Sequence, residues 1–350
     1  MIHNLRYQQE IKKAATGLTD WSALCGKSIL ISGATGMIGS FLVDLLMYQN
    51  GHQGLDCTIY ALGRNSEKAK NRFMPYWNDP LFRFIACDIN RSVEPVAGEV
   101  DYILHAASNT HPVAYATDPI GTVTTNIIGT HNLLEFAAEH NVKRFVFAST
   151  VEVYGENRGD TEYFTEDYCG YIDCNTLRAG YPESKRAGEA LCQAFIKQKG
   201  LDIVIPRLSR VYGPTMLMSD TKALSQFIKN SLGGEDIVLK SAGTQFFSYT
   251  YVADAVIAIL VCLISGQCGA AYNIADSASD ITLRDLAQLI AEQAGTQVVF
   301  QIPDAVESAG FSKATKAVLD SRKLKDLGWQ PMWDIRSGIC STMEILKEAK

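Results

Sequence analysis

The sequence predicts an α/β protein, a doubly wound parallel sheet with a smaller, mostly helical C-terminal lobe. Three observations carry that prediction. Short apolar runs alternate with amphipathic stretches from Lys27 to Arg207, the rhythm of strands joined by crossover helices. The runs are almost continuously apolar, as strands covered by helices on both faces must be. A glycine-rich turn joins the first run to the first amphipathic stretch.

The first 26 residues read as a polar helix and a turn ending at Gly26, an N-terminal helical extension. Strands are expected at Ser28–Ser32, Cys57–Leu62, Phe82–Cys87, Tyr102–Ala106, Arg144–Ser149 and Ile203–Leu208. Helices are expected between them at Met37–Tyr48, Ser66–Tyr76, Thr125–His140 and Tyr181–Lys199. Beyond Arg207 the order loosens. Gly213-Pro214, Gly233-Gly234 and Ser241-Ala242-Gly243 interrupt it, and helices follow at Leu283–Ala294 and Ile335–Leu346. The expected division is an extension over 1–26 and a dinucleotide-binding Rossmann domain over 27–206, completed by 245–275. Residues 207–244 and 276–350 then form a substrate lobe.

Composition narrows the class. Of 350 residues, 47% are hydrophobic and 20% charged, as in an ordinary globular protein. A net charge of −6 without a Lys/Arg block argues against a nucleic-acid partner. The polar start MIHNLRYQQEIKK does not read as a signal peptide. The longest apolar run, Ala255 to Ile264, is shorter than the roughly 20 residues a membrane span needs. Nine cysteines without a CxxC pair suit reduced thiols in the cytoplasm. Six histidines lack HxH or HExxH spacing, so no metal site is expected.

The turn Gly33-Ala34-Thr35-Gly36-Met37-Ile38-Gly39 follows Ser28–Ser32 directly and opens a helix. Gly33 permits the tight turn, Gly36 lets a pyrophosphate approach the backbone, and Gly39 lets helix and strand pack closely. The helix N-terminus adds free N–H groups and a positive dipole end for phosphates. NAD is the expected cofactor. NADP stays open, because Ala61-Leu62-Gly63-Arg64-Asn65 offers no acid for the adenosine ribose. Arg64 could meet a 2′-phosphate, stack on adenine, or remain a solvated loop charge. Asp88 and Ile89, closing the third strand, are candidates for adenine contact, and an acid there is also an ordinary turn residue.

Thr150 and Glu152 follow the fifth strand, and Tyr181-Pro-Glu-Ser-Lys185 opens a helix. Residues four apart share a helix face, so the Tyr181 phenol and Lys185 ammonium point the same way. The lysine is expected to lower the phenol's pKa from about 10. Such a phenolate can take a proton from a hydroxyl whose carbon gives up hydride, with Thr150 holding the same oxygen.

Together these motifs, in this order, resemble the short-chain dehydrogenase/reductase family. The finer resemblance is to its extended, nucleotide-sugar epimerase/dehydratase branch, through His105-Ala-Ala-Ser108, Asp118-Pro119, Asn126-Ile-Ile-Gly129-Thr130 and Ser149–Gly155. Glu166-Asp167-Tyr168, Leu177–Tyr181 and Tyr212-Gly213-Pro214 followed by Met216, Met218 and Asp220 are most similar to the UDP-glucuronate decarboxylase group. The resemblance implies oxidation of a nucleotide sugar at C4, with Tyr181 and Lys185 as the base pair and Thr150 as hydroxyl partner. Glu152 would face the sugar, although a cap or loop ion pair is its bland alternative. Ala106, Ala107 and Ser108 would line the cofactor, and Ser108, Thr110 and Arg178 would reach the substrate. It also implies a homodimer through the helices near 126–140 and 181–199. Their apolar residues (Leu133, Leu134, Phe136, Ala137, Ala190, Leu191, Ala194, Phe195) suit an intramolecular core equally well.

The chain departs from the decarboxylase pattern at two places and from the 4,6-dehydratase pattern at another. Phe247 stands where the decarboxylase group has Arg, Arg210 where it has Asn, and Val151 where the 4,6-dehydratases have an acidic Asp. Arg210 is therefore expected to take over the substrate diphosphate, with Lys222 as helper, or else to pair with an acid at the lobe interface. Two other functions remain open on sequence: a dehydrogenase or reductase consuming NAD(P)H stoichiometrically, and a cofactor-binding protein without chemistry.

Overall fold

The computed structural model describes residues 1–91, 93, 98–110, 112–301 and 315–349. Its first strands are β1 (Ser28–Ser32), β2 (Thr58–Gly63), β3 (Phe82–Ala86), β4 (Tyr102–His105), β5 (Arg144–Phe147), β6 (Ser149–Thr150) and β7 (Ile203–Leu208). There follow β8 (Arg210–Tyr212), β9 (Ile237–Leu239), β10 (Phe246–Tyr251), β11 (Ala271–Ile274), β12 (Asp280–Thr282), β13 (Val298–Phe300) and β14 (Lys316–Ala317).

The main sheet runs β3-β2-β1-β4-β5-β7-β11, with every neighbouring pair parallel. After Ala148, β6 prolongs the line of β5 and pairs with β7. All five residues of β1 are buried, the consequence of helices on both faces. The strand order reverses between β1 and β4. Their C-terminal ends therefore part and leave a crevice, the place where open α/β sheets bind ligands.

Two long helices border that crevice. The Met37–Gln53 helix runs back from β1 and stops at Gly54, whose φ of 60° is left-handed. The Gly180–Lys199 helix packs on the Thr130–Glu139 helix and ends at left-handed Gly200. Apart from its last two residues the Val252–Ser265 helix is buried, which accounts for the long apolar run.

The N-terminal helix, Leu5–Ala15, is less polar in effect than its composition indicates. Tyr7, Ile11 and Ala14, spaced by four and three, form a buried stripe against the Met37–Gln53, Val252–Ser265 and Ile335–Glu348 helices. The Tyr7 phenol donates to Asp44 at 2.5 Å. The C-terminal part carries the Ala223–Leu232, Leu283–Ala294 and Ile335–Glu348 helices and two small sheets besides. In these, β10 pairs with β8, β12 and β14, and β9 with β13. Only β10 among them exceeds three residues, too short for alternation to register.

Candidate active site

The glycine turn is made of backbone pressed on backbone. Gly33 has φ +72°, and a Cβ there would stand 2.8 Å from Ala106 O, Ala107 Cα and Ala107 N. A Cβ on Gly39 would lie 2.6 Å from Gly33 O and 2.7 Å from Ala34 Cα. Gly36 is the N-cap of the Met37–Gln53 helix and supplies no side chain, so the first-turn N–H groups carry no side-chain cap. A cradle with no room for a Cβ at Gly33 or Gly39, at the head of a 17-residue helix, fits the diphosphate of a dinucleotide. Thr35, Met37 and Ile38 are half-buried along it, and the Thr215 hydroxyl pins the Met37 carbonyl at 2.9 Å.

The strand-end residues fall around this turn. Ala106 and Ala107 follow β4, their N–H groups bonded to the Ser32 carbonyl and hydroxyl at 3.2 and 3.3 Å. Arg64 follows β2, exposed. Asp88 follows β3 and accepts the Asn90 N–H at 3.1 Å, so one carboxylate oxygen holds a turn. Ile89 is buried, and the Asn132 amide binds its carbonyl at 2.8 Å.

A buried polar chain links the turn to the helix of Tyr181. Ser32 Oγ meets His105 Nδ1 at 2.7 Å, and His105 Nε2 meets Thr130 Oγ1 at 3.0 Å. Thr130 donates to the Asn126 carbonyl at 2.6 Å. Asn126 accepts from Ser108 Oγ at 2.8 Å and donates to Ser184 Oγ at 2.9 Å; Ser184 donates in turn to the Tyr181 carbonyl. Burial, with the nearby charge of Lys185, drives the His105 pKa well below its ordinary value, so this ring is neutral. Asn126 lies in a π-turn, Thr125–Gly129, a local winding that recurs at functional sites.

Thr150, Tyr181 and Lys185 are buried together, and the Tyr181 phenol is hydrogen-bonded to the Thr150 side chain. Thr150 also receives the Glu152 N–H at 3.3 Å, capping the short helix Val151–Tyr154. The expected lowering of the phenol pKa does not occur. Burial raises it, the Glu152 carboxylate raises it further, and only the Thr150 bond works the other way. The Lys185 ammonium instead donates to Ala148 O at 2.8 Å, over the Phe147 ring. Burial pushes its own pKa down to about 8, against Cys192 and Glu189, which hold it up.

The two departures from the decarboxylase pattern, Arg210 and Phe247, meet in one place. Arg210 on β8 and Tyr249 on β10 are register partners, and the Arg210 guanidinium lies 3.5 Å above the Phe247 ring. Its Nη1 is buried without a hydrogen-bond partner. Burial lowers its pKa, while Tyr249 and Glu152 raise it. Tyr249 is pushed up to about 12 by burial, with Arg210 pulling it down. The alternative of an ion pair at the lobe interface is not realised among the described residues. Glu152 also lies 3.9 Å from the exposed Arg178. Val151 is buried in the core and itself supplies no proton donor. Lys222 reaches Asp220 and Thr110, each at 3.5 Å.

Sequence reading missed Asn126 as the link between the two ends, because a π-turn leaves no mark in residue spacing. It missed Tyr249, which only the pairing of β8 with β10 brings to Arg210. Glu189, four residues beyond Lys185, was within reach of the same spacing argument. Among the described residues, no group of three or more His, Cys, Asp or Glu could hold a metal, and no helix is long and apolar enough to cross a membrane.

Similarity to known proteins follows the same geometry. UDP-glucuronic acid decarboxylase 1 of Danio rerio is 33% identical over 321 residues, 91% of this chain and 72% of that protein. UDP-glucuronic acid decarboxylase 6 of Arabidopsis thaliana is 32% identical over 311 residues, 89% of this chain and 86% of that protein. The dTDP-glucose 4,6-dehydratase DesIV of Streptomyces venezuelae, solved with NAD and TYD bound, superposes with a TM-score of 0.76. It is 25% identical and covers 92% of this chain and 97% of its own. The UDP-glucuronic acid 4-epimerase of Bacillus cereus, in complex with UDP-glucuronic acid and NAD, also scores 0.76 at 22% identity, covering 92% and 100%. The model of the NAD dependent epimerase/dehydratase family matches residues 29–275, a span that holds the glycine cradle, Thr150, Tyr181, Lys185 and the Arg210–Phe247 stack, and the chain belongs to that family.

Proposed function

We propose that the chain uses NAD to remodel a nucleotide-activated sugar, oxidising it at C4 to a 4-keto sugar as epimerases, dehydratases and decarboxylases of this kind do. The reading rests above all on the buried convergence of Thr150, Tyr181 and Lys185 beyond β5, two strands from the glycine cradle. Tyr181 takes the proton of the C4 hydroxyl, Thr150 holds the same oxygen, and Glu152 faces the reacting carbon. Bound NAD supplies the hydride acceptor, and its positive ring favours the phenolate that burial alone disfavours. Gly33, Thr35, Gly36, Met37, Ile38, Gly39, Ala106, Ala107 and Ser108 hold the cofactor, with Asp88 and Ile89 at adenine. Arg64 would admit NADP.

Ser108, Thr110, Arg178 and Lys222 contact the substrate, and Arg210, with an unpaired buried N–H, takes an anionic group of it. Residues 27–206 with 245–275 serve the cofactor; 207–244 with 276–350 serve the sugar nucleotide. The compartment is the cytoplasm, a reading supported by nine free thiols. A homodimer would use the exposed Ala190 and Ala194 with Ile120 and Leu177, since Leu133, Leu134, Phe136, Ala137 and Phe195 are spent on the chain's own core.

The test is incubation with NAD and a panel of nucleotide sugars, UDP-glucuronate first, read by mass spectrometry and NADH absorbance. A changed sugar nucleotide without net NADH is expected, with Tyr181→Phe about 1000-fold slower and NAD binding retained. One NADH per sugar consumed would mark a stoichiometric dehydrogenase, and no conversion across the panel would end the proposal.

A further inference from the structure

Tyr181, Lys185 and Glu189 follow at four-residue steps on the Gly180–Lys199 helix and so share one side of it. The Glu189 carboxylate is fully engaged. Ser149 Oγ donates to it at 2.5 Å, and Arg207 grips it through Nε at 3.0 Å and Nη2 at 2.6 Å. Arg207 is the register partner of Ser149 across β6 and β7. Its Nη1 donates to the Tyr154 hydroxyl at 3.0 Å and the Glu166 carbonyl at 2.7 Å, so the guanidinium cannot swing away without losing four bonds. Burial works against the Arg207 charge, and Glu189 and Tyr154 together outweigh it.

Lys185 is seated on the same strand segment. Its ammonium donates to Ala148 O, the carbonyl directly before Ser149. The charged and titratable groups around it are Tyr181, Glu189 and Cys192 on its own helix, and His105 from β4. Glu152 and Tyr154 belong to the Val151–Tyr154 turn that follows the same strand end, and Arg207 to β7. His105 is neutral, Glu152 acts on Tyr181 and Arg210, and on Lys185 it is Cys192 and then Glu189, the one carboxylate of the two, that oppose burial.

We infer that Glu189, clamped by Arg207 and Ser149, is a positioning residue that keeps the Lys185 ammonium charged and seated on Ala148. The clamp ties β6, which carries Thr150, to the helix that carries Tyr181 and Lys185. Only a carboxylate can do both parts, bridging the elements and opposing the burial that would strip Lys185 of its proton.

This role deepens the reading of Lys185 given above, and its first readout needs no substrate. Lysine labelled with a carbon isotope at Cε is titrated by NMR, the Lys185 signal being identified by its loss in Lys185→Met. In the native protein the midpoint is expected near 8. Glu189→Gln keeps the shape and removes the charge, and should lower the midpoint by about one unit. Glu189→Asp keeps the charge and shortens the reach, and should leave it close to native. With a turned-over sugar nucleotide, the basic limb of kcat/KM in Glu189→Gln moves to lower pH by the same amount. The rate falls about fivefold at pH 8 and less than twofold at pH 6. Where Glu189→Gln alone fails to fold, Glu189→Gln with Arg207→Met removes both partners of the clamp, and the midpoint should still fall, by less than in Glu189→Gln because a cation is lost with the carboxylate. A midpoint unchanged by Gln, or moved further by Asp than by Gln, would overturn the inference and reduce Glu189 to a structural bridge. Absence of any sugar-nucleotide turnover in the native protein would instead count against the functional reading alone.

Discussion

The two ends of the crevice are built from different materials. At the cofactor end, backbone meets backbone: Gly33 and Gly39 stand within 3 Å of neighbouring main chain once a Cβ is imagined on them. At the end proposed to take the sugar, side chains replace backbone: Arg210, Glu152, Tyr249, Phe247 and Tyr181 are coupled through rings and charges. A backbone cradle admits one solution at each glycine. A side-chain site can be rebuilt, because a guanidinium delivered from β8 can lie over a ring delivered from β10. The difference explains why one end keeps the family pattern while the other departs from it.

Substitution at each end should separate them. Gly33→Ala carries the largest expected effect. The left-handed backbone alone costs about 1–2 kcal/mol, and the crowding against Ala106 and Ala107 adds to it. NAD affinity should fall roughly a hundredfold, a loss of about 3 kcal/mol, as read by calorimetry. The comparison breaks if Gly33→Ala binds NAD as the native chain does. Arg210→Ala comes next. Losing one charge-assisted bond of about 2 kcal/mol should weaken sugar-nucleotide binding about thirtyfold and leave NAD affinity within twofold. Equal affinity for the sugar nucleotide in the variant would deny Arg210 any part in substrate recognition.

What the residues announce follows the same divide. Ser28–Ser32, Ile203–Leu208 and Leu283–Ala294 form over the residues expected, since a buried strand and an amphipathic helix leave long, regular apolar patterns. The glycine turn was legible because its spacing is dictated by covalent geometry. The pairing of Arg210 with Phe247 was visible only as two separate departures, 37 residues apart in a chain whose β8–β10 register had no sequence signal. The pKa of Tyr181 was misjudged for a related reason. Spacing places Lys185 on the same helix face, but it cannot show that the ammonium turns to Ala148 or that Glu152 stands nearer in effect. The small sheets of the C-terminal part were silent because two or three residues carry no period.

The smallest expected effect probes the joint between the two ends. Asn126 is buried and ties Ser108, beside the cradle, to Ser184, on the helix of Tyr181. Asn126→Ala removes both bonds but spares the Thr130 hydroxyl, which binds the Asn126 main-chain carbonyl. Ser184 keeps its bond to the Tyr181 carbonyl, and Ser108 has a second acceptor in the Asn109 carbonyl at 3.3 Å, so few groups are left unpaired. The cost should sit near the low end for a buried hydrogen bond, about 1 kcal/mol, lowering Tm by about 2 °C. If the network holds the two ends in mutual register, NAD and sugar-nucleotide affinities should weaken together, each by a few-fold, while the ends probed by Gly33 and Arg210 move one at a time. Calorimetric titration of each ligand, alone and with the other present, separates the cases. A variant in which only one affinity changes would make Asn126 a local prop of that end and leave the two ends independent.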